Sequence, residues 1–120
     1  MKTRYAAVPA FITKDGSEIR ELMHPSTHAN HAQSLAEAIV APGTTTQLHR
    51  HRLSEELYHI TAGCGRMTLG EEIFEVEPGD TLFIPPGTPH CIENISNKPL
   101  RMLCCCAPAY AHEDTELLEC

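Results

Sequence analysis

Apolar and polar residues in this chain come in short alternating bursts, each closed by Pro, Gly or a polar cluster. SLAEAIVA, beginning at Ser34, is the first clear burst and ends at Pro42-Gly43. Residues 46–51 form the next, and residues 56–62 another that ends at Gly63. RMTL turns at Gly70-Glu71 into EIFEV, which turns at Pro78-Gly79-Asp80 into TLFI. Pro85-Pro86-Gly87 leads into HCIENI, and a turn over Ser96 to Pro99 leads into LRMLCCCA. Short strands at this spacing predict an all-β sandwich or barrel. Nine prolines and seven glycines argue against long helices. The first 33 residues are less legible. Within them GSEIRELMHPSTHANHAQ carries His24, His28 and His31 at spacings that fit no compact metal pattern, and it reads as loop or short strand. The tail AHEDTELLEC is acidic and reads as a helical turn or two, or nothing regular.

Composition narrows the class. The length of 120 residues fits one domain, and 42% hydrophobic residues suffice for a core. With 5% aromatic residues and no Trp, that core must rest on Leu, Ile, Val, Met, Cys and Ala. A net charge of −7 without a Lys/Arg run disfavours nucleic acid and anionic membranes as partners. No signal-peptide core and no span of bilayer length is present, so the expectation is a soluble, cytoplasmic protein. The six cysteines include Cys104, Cys105, Cys106 and the last residue, Cys120, and their spacing resembles no disulfide framework. They read as free thiols. In a strand Cys104 and Cys106 share the core face and Cys105 takes the other.

The chemistry concentrates in QLHRHRLSEELYHITAG, residues 47–63. Strand alternation sets Gln47, His49 and His51 in one column, with Arg50 and Arg52 on the opposite face. Glu56 opens the following strand and shares its face with Tyr58 and Ile60. A hairpin that stacks Glu56 beside His49 and His51 would bring two imidazoles and a carboxylate to one point, the makings of a divalent-metal site. The same pattern fits a polar sheet face turned to solvent. A second block, GDTLFIPPGTPHCIEN, spans residues 79–94. Its glycines permit tight turns, and Pro85, Pro86 and Pro89 stiffen the loop before His90. A rigidly presented His suits a fourth ligand, although a lone His of this kind also reads as a satisfied core residue.

Together the two blocks resemble the motifs of the cupin family. Gly43, His49, His51, Glu56 and Gly63 match its first pattern, and Gly79, Pro85, Gly87, His90 and Asn94 its second. The resemblance covers residues 34–107, with the N-terminal segment fitting extra edge strands. It implies a single cupin domain over residues 1–120, a double-stranded β-helix or conical jelly-roll barrel. It further implies one divalent transition metal per chain, held by His49, His51, Glu56 and His90. A second resemblance, to metal-dependent polyketide cyclases, rests on LxEA…PG…QxHxH and CxPAYxHEDT. It implies Gln47 as an added ligand or substrate contact, against a reading as a polar residue of the barrel mouth.

The implied activity is metal Lewis-acid catalysis on a small carbonyl or phenolic, polyketide-like substrate. Tyr58 and Glu56 are the candidate catalytic residues, with Tyr58 equally readable as a core tyrosine. The ligand types do not choose among Zn, Mn, Fe, Ni, Co and Cu. A metal-dependent dioxygenase and a non-catalytic binder of a small molecule or metal are the alternatives. A sugar-phosphate isomerase is disfavoured, because Arg50 and Arg52 point away from the ligand face. No helix-turn-helix region accompanies the barrel. The family implies a homodimer formed by pairing of edge strands. His59, Cys64 and Cys91 read as structural.

Overall fold

A computed structural model describes residues 1–119, so Cys120 lies outside the described residues. In chain order the strands are β1 (Phe11–Ile12), β2 (Glu18–Met23), β3 (Ser34–Val40), β4 (His49–His51), β5 (Glu55–Ala62) and β6 (Gly65–Leu69). Then come β7 (Glu72–Val76), β8 (Thr81–Ile84), β9 (His90–Asn94), β10 (Leu100–Ala107) and β11 (Thr115–Leu117). The other regular elements are two 3-10 turns, Tyr5–Ala7 and His112–Asp114. The protein is all-β, as the turn-punctuated pattern implied.

The strands form two antiparallel sheets. One runs β1-β2-β3-β10-β5-β8, and the other β11-β4-β9-β6-β7. Each strand of the central region alternates between core and solvent. β10 buries Leu100, Met102, Cys104 and Cys106 while Arg101, Leu103 and Cys105 face outward. β5 buries Glu56, Tyr58 and Ile60, and β3 buries Ser34, Ala36, Ala38 and Val40. This period of two lets the inner faces interdigitate.

Register arranges the inner residues in rows. Ala36, Cys104, Tyr58 and Leu82 lie side by side across four strands, and Ser34, Cys106, Glu56 and Ile84 form the next row. The interior is therefore graded along the strands. One end is apolar and closed by Ile60, Met67, Ile92, Leu100 and Met102, all at most 1% exposed. Each such side chain contributes about 1.5–3 kcal/mol by leaving water. The other end carries Ser34, Glu56, His49, His51 and His90. Gly63 shows how tightly the closed end is drawn in. It sits at φ +80°, and a Cβ there would lie 2.6 Å from the Pro99 carbonyl oxygen, so only Gly fits.

Three sequence-based expectations are corrected. The run 46–51 shortens to His49–His51, because the backbone changes partners just before it. Thr46 N–H still donates to Ile92 O of β9 at 3.0 Å, but Gln47 N–H turns to Asp15 O at 2.8 Å. β4 and β5 do not form a hairpin but lie in opposite sheets. The tail makes a 3-10 turn and then β11, which pairs with β4 from Thr115↔His51 to Leu117↔His49. Its charged residues serve this docking. Arg50 donates to Glu116 Oε2 at 2.9 and 3.0 Å, and Asp114 Oδ1 accepts from Leu53 N–H at 2.9 Å.

Candidate metal centre

His49 and His51 enter from β4, and His90 from the neighbouring β9, where it pairs directly with His49. All three are buried. Their ring centroids lie 4.2 to 5.5 Å apart, and one ring nitrogen from each falls within 4.8 Å of the others. Glu56 approaches from the facing sheet. Its Oε1 lies 3.2 Å from His51 Nε2 and 3.6 Å from His90 Nε2. The sequence motif names the right neighbours for a convergent cluster, but the carboxylate reaches it across the barrel, not along a hairpin.

The far side of each ring decides its chemistry. His49 Nδ1 lies 2.7 Å from Gln47 O, and His90 Nδ1 lies 2.9 Å from Thr88 O. A carbonyl can only accept, so both Nδ1 atoms carry the proton. His51 Nδ1 lies 2.9 Å from Thr115 Oγ1, whose own hydroxyl donates to Ala111 O at 3.0 Å. That leaves Thr115 as acceptor, and His51 Nδ1 also carries its proton. Each Nε2 therefore presents a lone pair to the interior, the arrangement that orients metal-binding imidazoles. In the neutral rings the lone pairs of His51 and His90 face Glu56 Oε1, which also only accepts. Glu56 Oε1 and His90 Nε2 are accordingly buried without a hydrogen-bond partner among the described residues, a costly arrangement that a divalent cation would resolve. The donor set fits such an ion.

Electrostatics agree. Burial, then the charge of His90, pushes His49 below the ordinary imidazole value of 6.5, against a raising pull from Asp15. His49 is therefore held neutral and ready to ligate. Burial alone would raise the Glu56 carboxyl, but in the metal-free protein the polar contact and charge of His51 and His90, once each also carries a proton on Nε2, outweigh it and hold Glu56 at about 2. Its second oxygen, Oε2, accepts from the Cys106 thiol at 3.3 Å. Burial, then the nearby Glu56 charge, pushes Tyr58 and Cys104 well above their ordinary values. Cys106 is raised by the same causes. All three stay protonated. Among the cysteines, Cys104 and Cys106 are buried and Cys105 faces outward. Tyr58 stands edge-on to His90 with centroids 6.0 Å apart.

The cluster opens into a cavity of about 260 Å³. Ile19, Ala38, Val40, Ile92 and Met102 line its deep wall, and Asp15, Glu21, Glu56 and Tyr58 add polar groups. No Lys or Arg is among the lining residues.

Of the two readings of Gln47, its position fits the polar residue of the barrel mouth. Its residue is exposed and absent from the cavity wall, and what it offers is its carbonyl, which fixes the His49 tautomer. Asn94 lies outside the cavity wall and organises a turn, donating to Val40 O and Lys98 O at 2.9 and 2.7 Å. Sequence reasoning missed Asp15, Thr115, Cys106 and Tyr110 at the site. Tyr110 stands edge-on to His51 with centroids 5.8 Å apart. Cys106, Tyr110 and Thr115 lie within the CxPAYxHEDT ending quoted above, but that resemblance assigned them no role.

Comparison with known proteins places this geometry in context. The family described as Cupin domain matches residues 36–106. The uncharacterized protein MJ1618 of Methanocaldococcus jannaschii is 59% identical over 119 residues, covering 99% of this chain and 95% of its own. The polyketide cyclase RemF of Streptomyces resistomycificus superposes with a TM-score of 0.83 at 22% identity, covering all of this chain and 86% of that one. A predicted oxalate decarboxylase of Thermotoga maritima gives 0.79 at 24% identity, covering 90% of this chain and 99% of its own.

Proposed function

The chain belongs to the cupin family, and we propose that it is a divalent-metal protein acting on a small organic substrate with a carbonyl or phenolic oxygen. The observation that carries this reading is the convergence of three buried imidazoles, each with its Nδ1 held by an acceptor, beside the buried Glu56 carboxylate, where Glu56 Oε1 and His90 Nε2 lack a hydrogen-bond partner among the described residues. His49, His51, Glu56 and His90 would hold the ion. A bound divalent ion supplies Lewis-acid polarisation of a substrate oxygen, and a redox-active one adds oxygen chemistry.

The chain's own residues do the rest. The apolar wall excludes water and grips an apolar body. Tyr58 keeps its proton and so donates to a substrate oxygen rather than taking a proton from it. Glu56 is oriented by the Cys106 thiol. Three cavity carboxylates with no Lys or Arg among the lining residues disfavour sugar phosphates. A polyketide cyclase among the structural neighbours agrees with a phenolic or polyketide-like substrate. The same reading takes the chain as a homodimer in the cytoplasm. The apolar edge strand β1 supports pairing, since Phe11 and Ile12 are 47% and 70% exposed.

Metal content tests the reading. Untagged protein analysed by elemental mass spectrometry should carry about one transition metal per chain, and the His49→Ala/His90→Ala double variant should carry none. If both lack metal and the wild type takes none up on titration, the metalloprotein reading fails.

A further inference from the structure

The cup contains an acid that neither motif includes. Asp15 lies in the loop between β1 and β2, with its side chain 12% exposed. Its Oδ2 stands 3.7 Å from His49 Nε2, about the separation of Glu56 Oε1 from His90 Nε2, 3.6 Å. Two donors that each sit about 2.1 Å from one ion lie within roughly 4.2 Å of each other. Asp15 is thus spaced from His49 as Glu56 is from its imidazoles.

The loop is built to present this one oxygen. Asp15 Oδ1 is engaged elsewhere, accepting from Ser17 N–H at 2.9 Å and Ser17 Oγ at 2.6 Å. The backbone reverses at Gly16, whose φ of +94° suits Gly. The Asp15 carbonyl accepts from Gln47 N–H at 2.8 Å, fastening the loop to the entry of β4. Lys14 Nζ, pointing away from the cup, donates to Thr115 O at 2.7 Å and His112 O at 3.2 Å. Thr13 Oγ1 meets the Tyr110 hydroxyl at 3.3 Å. These contacts anchor the turn on both sides while Asp15 Oδ2 faces His49 Nε2.

Charge favours the same conclusion. Asp15 and Glu56 bring two carboxylates to a site with three imidazoles, and no Lys or Arg lines the cavity. Two carboxylates balance one divalent cation. His90 Nε2 and Glu56 Oε1, 3.6 Å apart, are both buried and without a hydrogen-bond partner among the described residues.

We infer that Asp15 is a fifth protein ligand to the cation, supplied by the N-terminal loop and not by the barrel motifs. The inference rests on the metal reading above. Such a ligand raises the oxygen share of the site and suits harder ions such as Mn²⁺. It also leaves fewer positions for water or substrate.

Titration of the metal-free protein with Mn²⁺ tests it. Asp15→Ala and Asp15→Asn should each weaken binding by at least about tenfold. The Asn variant retains an acceptor for Ser17 and so preserves the turn. Mn²⁺-bound Asp15→Ala should also relax water protons faster than wild type, because a water takes the vacated position. Binding within twofold of wild type in both variants, with His90→Ala losing binding, overturns the inference and leaves the four-ligand site. Weakened binding with unchanged water relaxation in Asp15→Ala also overturns it, and makes Asp15 a distant charge. If wild-type protein binds neither Mn²⁺ nor Zn²⁺, the metal reading falls and this inference with it.

Discussion

At the scale of single residues, the site is a set of hydrogen atoms placed with care. Gln47 O, Thr88 O and Thr115 Oγ1 hold the protons of three imidazoles on their outer nitrogens, so that in the neutral rings the inner nitrogens are free to ligate. The pH response of the metal-free protein follows. The folded state resists protonating His49, whose value lies below 6.5, while the unfolded chain does not, so stability falls as pH drops below 6.5. Glu56 acts lower down. Its carboxyl is held at about 2 against an ordinary 4.5, so its contribution is complete above 4.5 and is lost as pH falls toward 2. Melting temperature measured from pH 8 to 3 on chelator-treated protein should decline in those two windows. In the His49→Gln variant the upper one should shrink. The motif residues themselves were legible in the sequence, because each needs a fixed interval. Asp15 was not, since one acid in a polar N-terminal stretch carries no interval to match.

At the scale of elements, alternation told which face each side chain takes but not which sheet its strand joins. Glu55–Ala62 was readable as a strand with Glu56, Tyr58 and Ile60 inward. That it faces β4 across the core, with β10 and β8 as its neighbours, depends on pairings with residues 81–84 and 101–107 that no local pattern encodes. β11 was hidden for a related reason. Three residues in an acidic tail make no strand signal, and Thr115–Leu117 is extended because β4 offers it an edge. This element has a measurable share in the site. Removing residues 112–120 would strip His51 of its Nδ1 acceptor and Leu53 and Ser54 of the Asp114 carboxylate. Such a truncation should weaken Mn²⁺ or Zn²⁺ binding by about 10- to 100-fold and lower the melting temperature of the metal-free chain. Isothermal titration and calorimetric melting check the two effects separately. The conservative variant Thr115→Ser should restore most of the affinity lost in Thr115→Ala.

At the scale of the whole molecule, apolar closure at one end and unresolved polarity at the other divide the work of stability. Ile60, Met67, Ile92, Leu100 and Met102 hold the sheets together without any ion, so the barrel does not depend on metal in the way a small zinc domain does. Metal should add to an existing fold. At a free-ion level a hundred times the dissociation constant, the gain is about 2.7 kcal/mol. Far-ultraviolet circular dichroism should therefore show the same strand content with and without chelator, while the melting temperature rises on adding the ion. A chain that unfolds on chelation would contradict this division. The all-β class and the two motif blocks were readable from turn spacing and fixed intervals. The joining of both ends of the chain at the barrel mouth was not, because it is made by single contacts such as Lys14 to Thr115.

The pairing of β11 with β4 also sets an order of events during synthesis. A ribosome makes the first two imidazoles before residue 52 and the third at residue 90, yet His51 has no acceptor until Thr115 has emerged. Until then β4 is an open edge of the nascent sheet, and the cup cannot set all three tautomers. A polypeptide stalled before residue 112 would carry both motifs complete and still leave His51 without its Nδ1 acceptor.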